Sequence, residues 1–284
     1  MLDAQQRLEY ASAVTRFGGG QTNAVRLIRR QGLDAFESIH AGLTGAQLDE
    51  VLRSVEDLQT AGVDALLLGE AGYPSTLANA GVAAPALFVK GQQDLLEHRG
   101  FGVCGSRNAT DESLRAARAC SESIAIHDFT VVSGYARGVD MTCHVGALAA
   151  GGTTVIVLPE GILNFRIKRG DLESLWDPAR TVVISQFSPR KPWSAGGAMG
   201  RNAIIAGLSQ GLVVVEAGET GGTLAAGMHA LDRGQPVLTL ELFGAPAGNR
   251  MLQARGAIPI KSRQELDAYL LHLPSNGSPQ LTLL

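Results

Sequence analysis

The chain has 284 residues, 45% of them hydrophobic and 18% charged, with 24 Lys+Arg against 27 Asp+Glu and a formal net charge of −3 at pH 7. That balance gives no global pull toward a polyanion, so any nucleic-acid contact must come from a local patch. No run of about 18 apolar residues marks a membrane span, the N-terminus MLDAQQRLEY lacks the basic-then-apolar order of a signal peptide, and three cysteines without a CxxC pair argue against a disulfide frame or zinc cluster.

The expected location is cytoplasmic, with no cofactor and no metal. From Leu2 to about Leu58 the apolar residues fall at helical spacing, broken at Gly18-Gly19-Gly20 and at Gly32. Helix, glycine turn and helix in this order fit either a helix-hairpin-helix DNA contact or a small helical bundle. Residues 1–62 are expected to form a small all-helical domain, and residues 63–272 a larger domain whose first part is a connector with strand-like pieces at Ala65–Leu68 and Ala86–Val89. The tail 273–284 reads as disordered from its composition.

From Phe101 the pattern is regular. Apolar runs at Phe101–Cys104, Phe129–Ser133, Thr153–Leu158, Thr181–Ser185, Leu212–Glu216 and Pro236–Leu240 are mostly separated by helix-like segments, with a last short run at Ala257–Ile260. Such runs mark strands buried on both faces. Their alternation with helices predicts an α/β, doubly wound, mostly parallel sheet covered on both sides. Ligands bind such sheets at the carboxyl ends of the strands, where the strand order reverses.

The residues after each strand are therefore the informative ones. After the first run, Gly105-Ser106-Arg107 makes a glycine turn into a helix expected to begin near Thr110 or Asp111. A helix start has unpaired N–H groups and a favourable dipole for an anion, and an arginine fork suits phosphate. After the second run, Gly134, Arg137 and Gly138 repeat the pattern. The next helix sets Asp140 and His144 one turn apart, which favours a hydrogen bond between them over a metal site with Cys143. Arg166, Lys168 and Arg169 form a basic loop. Gly200-Arg201-Asn202 reads as the start of another helix, where an anion would offset the cost of a cation at the positive end of the dipole. Gly221, Gly222 and Thr223 offer a further set of N–H groups and a hydroxyl, preceded by Glu216 at a strand end. Four such turns on one sheet edge point to a phosphate-bearing ligand.

The segments CGSRNAT, VVSGYARGVDMTCHVGALAAGGTTVIVL, RNAIIAGLSQGLVVVEAGETGGTL and AGNRMLQARGAIPI, with YPSTL and APALFVKG upstream, resemble the DprA/Smf DNA-processing family. The resemblance covers roughly residues 10–262 and keeps the motif order. It implies a Rossmann-like domain that binds single-stranded DNA, usually as a homodimer, and helps load RecA in DNA uptake and recombination, without being an enzyme in the usual sense. It also implies that Gly105, Ser106, Arg107, Gly134, Arg137, Gly138, Asp140, Arg201 and Asn202 line the strand-binding groove. The sequence departs from the family pattern at Ala203, where the motif has a second arginine, and at Gln186, where it has a glutamate. No room is expected after Leu271 for the winged-helix module of many members.

Two functions follow. In the first, Arg107, Arg137 and Arg201 with helix-start N–H groups hold successive phosphates of a single strand, Lys168 and its neighbours extend the track, and Phe165, Phe187 and Trp193 are the candidates for base stacking. In the second, the chain is a nucleotide sensor or a nucleotide-hydrolysing enzyme. Gly221-Gly222-Thr223 resembles half of the PGGxGT turn of the cytokinin-activating phosphoribohydrolases, with Glu216 or Glu219 as the acid.

Overall fold

Short β-branched runs bounded by glycine turns place nine strands in one sheet, as described by a computed structural model covering residues 2–167, 170–241 and 246–273. The strands are β1 (Asp64–Leu67), β2 (Ala86–Gly91), β3 (Gly100–Cys104), β4 (Thr130–Ser133), β5 (Thr154–Val157), β6 (Thr181–Ser185), β7 (Leu212–Val214), β8 (Val237–Leu240) and β9 (Ile258–Ile260). The order across the sheet is β1-β2-β6-β5-β4-β3-β7-β8-β9. From β6 to β9 all neighbours are parallel, while β1 and β2 join as antiparallel strands through β2 and β6. The connector is thus part of the sheet.

Strands β3, β4, β5 and β6 step outward in one direction, and the chain then returns to lay β7 on the other side of β3. The order reverses there, so the crevice between the ends of β3 and β7 is the switch point at which doubly wound sheets bind ligands.

Helices α1 (Ala4–Phe17), α2 (Gln21–Gln31), α3 (Asp34–Ala41) and α4 (Gly45–Thr60) precede the sheet, and α5 (Ser75–Asn79) lies between β1 and β2. The others are α6 (Asp111–Ile126), α7 (Val139–Ala149), α8 (Asp171–Leu175), α9 (Ala195–Gly207), α10 (Gly222–Asp232), α11 (Ala247–Gln253) and α12 (Arg263–Leu271). The period-two alternation of the strands sorts the core. Phe101, Val103, Val131, Val213 and Leu238 pack with Cys120, Ile124, Leu266 and Leu270 on one face. Leu212, Val214 and Val237 join a second cluster with Ile204, Ile205, Leu224 and Leu252.

The N-terminal helices start on strong signals. Asp3 and Thr44 each cap their helix and receive the side chain of a glutamine three residues on. Leu8, Val14, Phe36, Val51 and Leu58 then share one hydrophobic cluster with Leu66, Leu67 and Phe88 of β1 and β2. At the other end, Ser262 caps α12 by accepting from the Glu265 N–H, while the Glu265 carboxylate accepts from Lys261 rather than from the cap itself. Among the described residues no helix is long and apolar enough to cross a membrane.

Candidate nucleic-acid interface

The turn after β3 is closed by its own side chains. Ser106 Oγ accepts from the Asn108 N–H at 3.1 Å, and Thr110 caps α6 through the Ser113 N–H. The turn after β4 then packs against it, backbone on backbone. Gly138 has φ +82°, and a Cβ there would lie 2.5 Å from Ser106 O, so only glycine serves both the left-handed conformation and the close approach. Val139 N donates to Ser106 O at 3.3 Å, and the Arg137 guanidinium donates to Asn108 Oδ1.

The start of α10 closes the other side. Its cap, Gly221, supplies no side-chain hydrogen bond, so the first N–H groups of α10 are left without a side-chain cap. Thr223 Oγ1 donates to Gly105 O at 3.1 Å across the switch point, and Asn202 Nδ2 donates to Gly222 O at 3.3 Å. A cleft of about 460 Å³ opens between these turns, lined among others by Gly105, Arg107, Asn108, Trp193 and Arg201. A second hollow of about 490 Å³ adjoins it, lined by Arg137, Asn164, Phe165 and Arg166 and sharing Arg107, Ala136, Trp193 and Arg201.

Arg201 requires a correction. It does not sit at a helix start: Ser194 caps α9 by accepting from the Gly197 N–H at 3.0 Å, and Arg201 lies in the middle of the helix. Its guanidinium is buried, 3.2 Å from the carboxylate of Asp140, and each of these residues is 5% exposed. Arg201 therefore needs no anion to offset a helix dipole, since it is not at a helix start and Asp140 already supplies the opposite charge. Asp140 Oδ2 also accepts from the Ala136 N–H at 3.4 Å. Gly134 makes room for the pair, because a Cβ there would lie 1.7 Å from Arg201 Nη1.

The expected Asp140–His144 hydrogen bond is likewise replaced. His144 is fully buried and bonds Thr154 Oγ1 at 2.7 Å and Gly134 O at 2.6 Å, so it braces the β4 turn from below while Asp140 turns to Arg201.

Of the thirteen positions singled out in the sequence, the structure gathers Gly105, Ser106, Arg107, Gly134, Arg137, Gly138, Asp140, Arg201, Asn202, Gly221, Gly222 and Thr223 around the switch point. Lys168 and its neighbour Arg169 lie outside the described residues; Arg166, at the start of that loop, is exposed and turns its guanidinium onto the Leu163 and Phe165 carbonyls. Arg107 and Arg137 are exposed. Asn108 was not singled out, although it lines the cleft and holds Arg137 in place; its position inside the first turn was the available signal.

Cys104 lines the cleft but is no nucleophile. Burial, reinforced by the nearby Asp140 carboxylate, pushes its thiol up to about 12. Glu216 accepts from the Thr110 N–H at 3.4 Å and Glu219 is exposed; neither is among the described residues lining the cleft.

Fold and cleft together define a Rossmann-like α/β protein with a cleft between the turns at the switch point of its sheet. Residues 64–270 match the family model of DNA recombination-mediator protein A. The protein Smf of Escherichia coli (strain K12) is 29% identical over 279 residues, covering 94% of this chain and 75% of that protein. The DNA processing protein DprA of Bacillus subtilis (strain 168) is 30% identical over 211 residues, 72% of this chain and 70% of its own length. The chain belongs to this family, DprA/Smf, as its motifs implied.

Solved structures agree on the fold. DprA of Streptococcus pneumoniae superposes with a TM-score of 0.71 at 23% identity, covering 94% of this chain and 98% of that one. DprA of Helicobacter pylori, whose structure describes a single-stranded DNA binding mode, gives 0.64 at 21% identity over 74% and 95% of the two chains.

Proposed function

We propose that the two adjoining hollows form one groove that captures the phosphate backbone of single-stranded DNA. The observation that carries this reading is the placement of Arg107, Arg137 and Arg166, all exposed, along hollows walled by turn backbone. Exposed guanidinium groups beside uncapped helix N–H groups suit phosphate oxygens spaced along a strand. A net charge of −3 is no obstacle when the cations are local. Family membership and the single-stranded DNA mode of the H. pylori relative support the same ligand.

In this reading Arg201 and Asp140 shape the floor of the groove rather than bind phosphate with free charge. Residues 63–272 are the binding domain, and the helices of 1–62 are a small domain seated on β1. The protein works as a cytoplasmic homodimer that holds a strand for RecA during recombination or DNA uptake, with no catalytic step. Arg107→Ala should weaken binding of a labelled single strand at low salt by about tenfold, the scale of one charge-assisted hydrogen bond. Unaltered affinity in both Arg107→Ala and Arg137→Ala would sink the groove assignment.

One observation favours a second ligand. Gly222 and Thr223 at the uncapped start of α10 line the cleft of about 460 Å³, where the phosphate of a free nucleotide would fit. Calorimetry with nucleoside monophosphates tests binding there, and release of free base would establish the hydrolytic form of this reading.

A further inference from the structure

The loop after β6 has the groove on one side and a separate cleft on the other. Trp193 lines both hollows of the groove, while Ser188, Lys191 and Pro192 line the second cleft, of about 450 Å³. Lys191 and Trp193 are two residues apart, at most about 7 Å of chain. The loop is pinned where it divides the two spaces. Gly161 N donates to Lys191 O at 2.8 Å, Leu163 N donates to Pro189 O at 3.0 Å, and Asn164 of the second hollow donates through Nδ2 to Lys191 O at 2.8 Å. The opposite wall of the cleft comes from the N-terminal helices, with Arg16 and Phe17 of α1 and Arg53 and Asp57 of α4. The cleft is thus the junction between the helical domain and the sheet.

This junction is basic. Arg16, Arg53, Arg190 and Lys191 line it against the carboxylates of Glu50 and Asp57. Both carboxylates are committed: Glu50 accepts from Arg16 at 2.9 Å, and Asp57 accepts from Arg190 at 2.6 and 3.2 Å. Among the described residues, Arg53 and Lys191 have no carboxylate partner. Arg53 is exposed, and the Lys191 ammonium lies 3.7 Å from the centroid of the Phe187 ring, where burial lowers its pKa. The chain around the cleft adds to the imbalance. Between Glu9 and Asp34 it carries Arg16, Arg26, Arg29 and Arg30 and no carboxylate, in a protein whose net charge is −3. So uneven a distribution concentrates the attraction for a polyanion on the helical domain. Gln21 Nε2 donates to Gln186 Oε1 at 2.8 Å, which holds the start of α2 at the end of β6, on the groove's edge of the sheet.

We propose that the bound strand leaves the groove across the loop between Lys191 and Trp193 and lays its next phosphates in the junction cleft, on Arg53 and Lys191. The N-terminal helices then form the second half of the strand's path. The inference rests on the single-stranded DNA reading. Continuity favours a strand over a free anion, because the loop that walls the groove also walls the cleft and phosphates recur along a strand. Arg16 and Arg190 are held by carboxylates in the free protein, but exposed ion pairs are weak in water. A phosphate arriving beside them competes with Glu50 and Asp57 for the guanidinium groups. The two carboxylates therefore limit affinity, and removing one strengthens binding.

Strand length separates the two halves of the path. The full chain is titrated, by anisotropy across a range of salt, with labelled oligo-dT of about 6 and about 20 nucleotides, the first within and the second beyond a common site size of about 4–16. In the parent the long strand should show the steeper salt dependence. Arg53→Gln and Lys191→Gln should each weaken the long strand by about tenfold and remove about 0.7 from its slope of log K against log salt, with the short strand unchanged. Glu50→Gln should tighten the long strand by about twofold to fivefold. A damaged helical domain would not produce that gain, so this arm separates charge from folding. Equal slopes for the two strands in the parent would overturn the proposal and leave the groove standing. So would Arg53→Gln and Lys191→Gln variants that affect both strands alike or neither. If neither strand binds at low salt, the single-stranded DNA reading itself fails and takes this inference with it.

Discussion

The Arg201 guanidinium and the Asp140 carboxylate meet 3.2 Å apart beneath the switch point, joining the middle of α9 to the first turn of α7. Both are buried, and Gly134 is the residue whose missing Cβ admits the arginine. Removing one partner of a buried pair leaves an uncompensated charge, which typically costs about 3–5 kcal/mol. Arg201→Met and Asp140→Ala should therefore each destabilise the fold on that scale in urea unfolding. Gly134→Ala should be severe in the parent and much milder in the Arg201→Met background, because the atoms it would strike are gone. Equal cost of Gly134→Ala in both backgrounds would contradict the packing described.

The contact of the β3 and β4 turns gives a second expectation. Gly138→Ala combines a positive φ with a Cβ 2.5 Å from Ser106 O, so it should cost several kcal/mol and weaken DNA binding by moving Arg137. Gly221 also has positive φ, +106°, but nothing lies within 4 Å of its Cβ position. Gly221→Ala should cost about 1–3 kcal/mol, from backbone preference alone. Thermal unfolding of the two variants distinguishes close approach from backbone preference alone.

Cys104, Cys120 and Cys143 are all buried, and burial pushes the first two thiols up to about 12. The folded protein should not react with a thiol reagent at pH 8 until it is unfolded. The sign for stability follows from the same shift. Unfolded thiols ionise near their ordinary value of 9.0 while the folded ones hold their protons toward 12, so their contribution is full below pH 9 and is lost as pH rises through that window. A stability profile measured from pH 8 to pH 11 should decline, and replacing Cys120 with Ala should flatten part of the decline.

Much of this architecture was legible in the chain. The buried strands β3 to β8 announce themselves as short β-branched runs, and Thr110 marks the start of α6. The start of α9 was not legible: Ala195-Gly196-Gly197 reads as loop because glycine is a poor helix former, and the signal that mattered was Ser194 as cap. The partner of Arg201 lies 61 positions away in sequence, and no local pattern reports such a pairing. The same limit hid the antiparallel junction of β2 with β6, which depends on sheet order and not on the composition of either strand.

The groove as a binder of single strands is tested most directly by salt dependence. Affinity for a labelled single strand is measured across a range of salt for the parent, Arg107→Ala, Arg137→Ala and the double variant, with duplex DNA and a mononucleotide as competitors. Each arginine that contacts a phosphate should remove about 0.7 from the slope of log K against log salt, duplex should compete poorly, and the mononucleotide should compete hardly at all. Parent-like slope and affinity in the double variant, or complete displacement of the strand by the mononucleotide, would contradict the account.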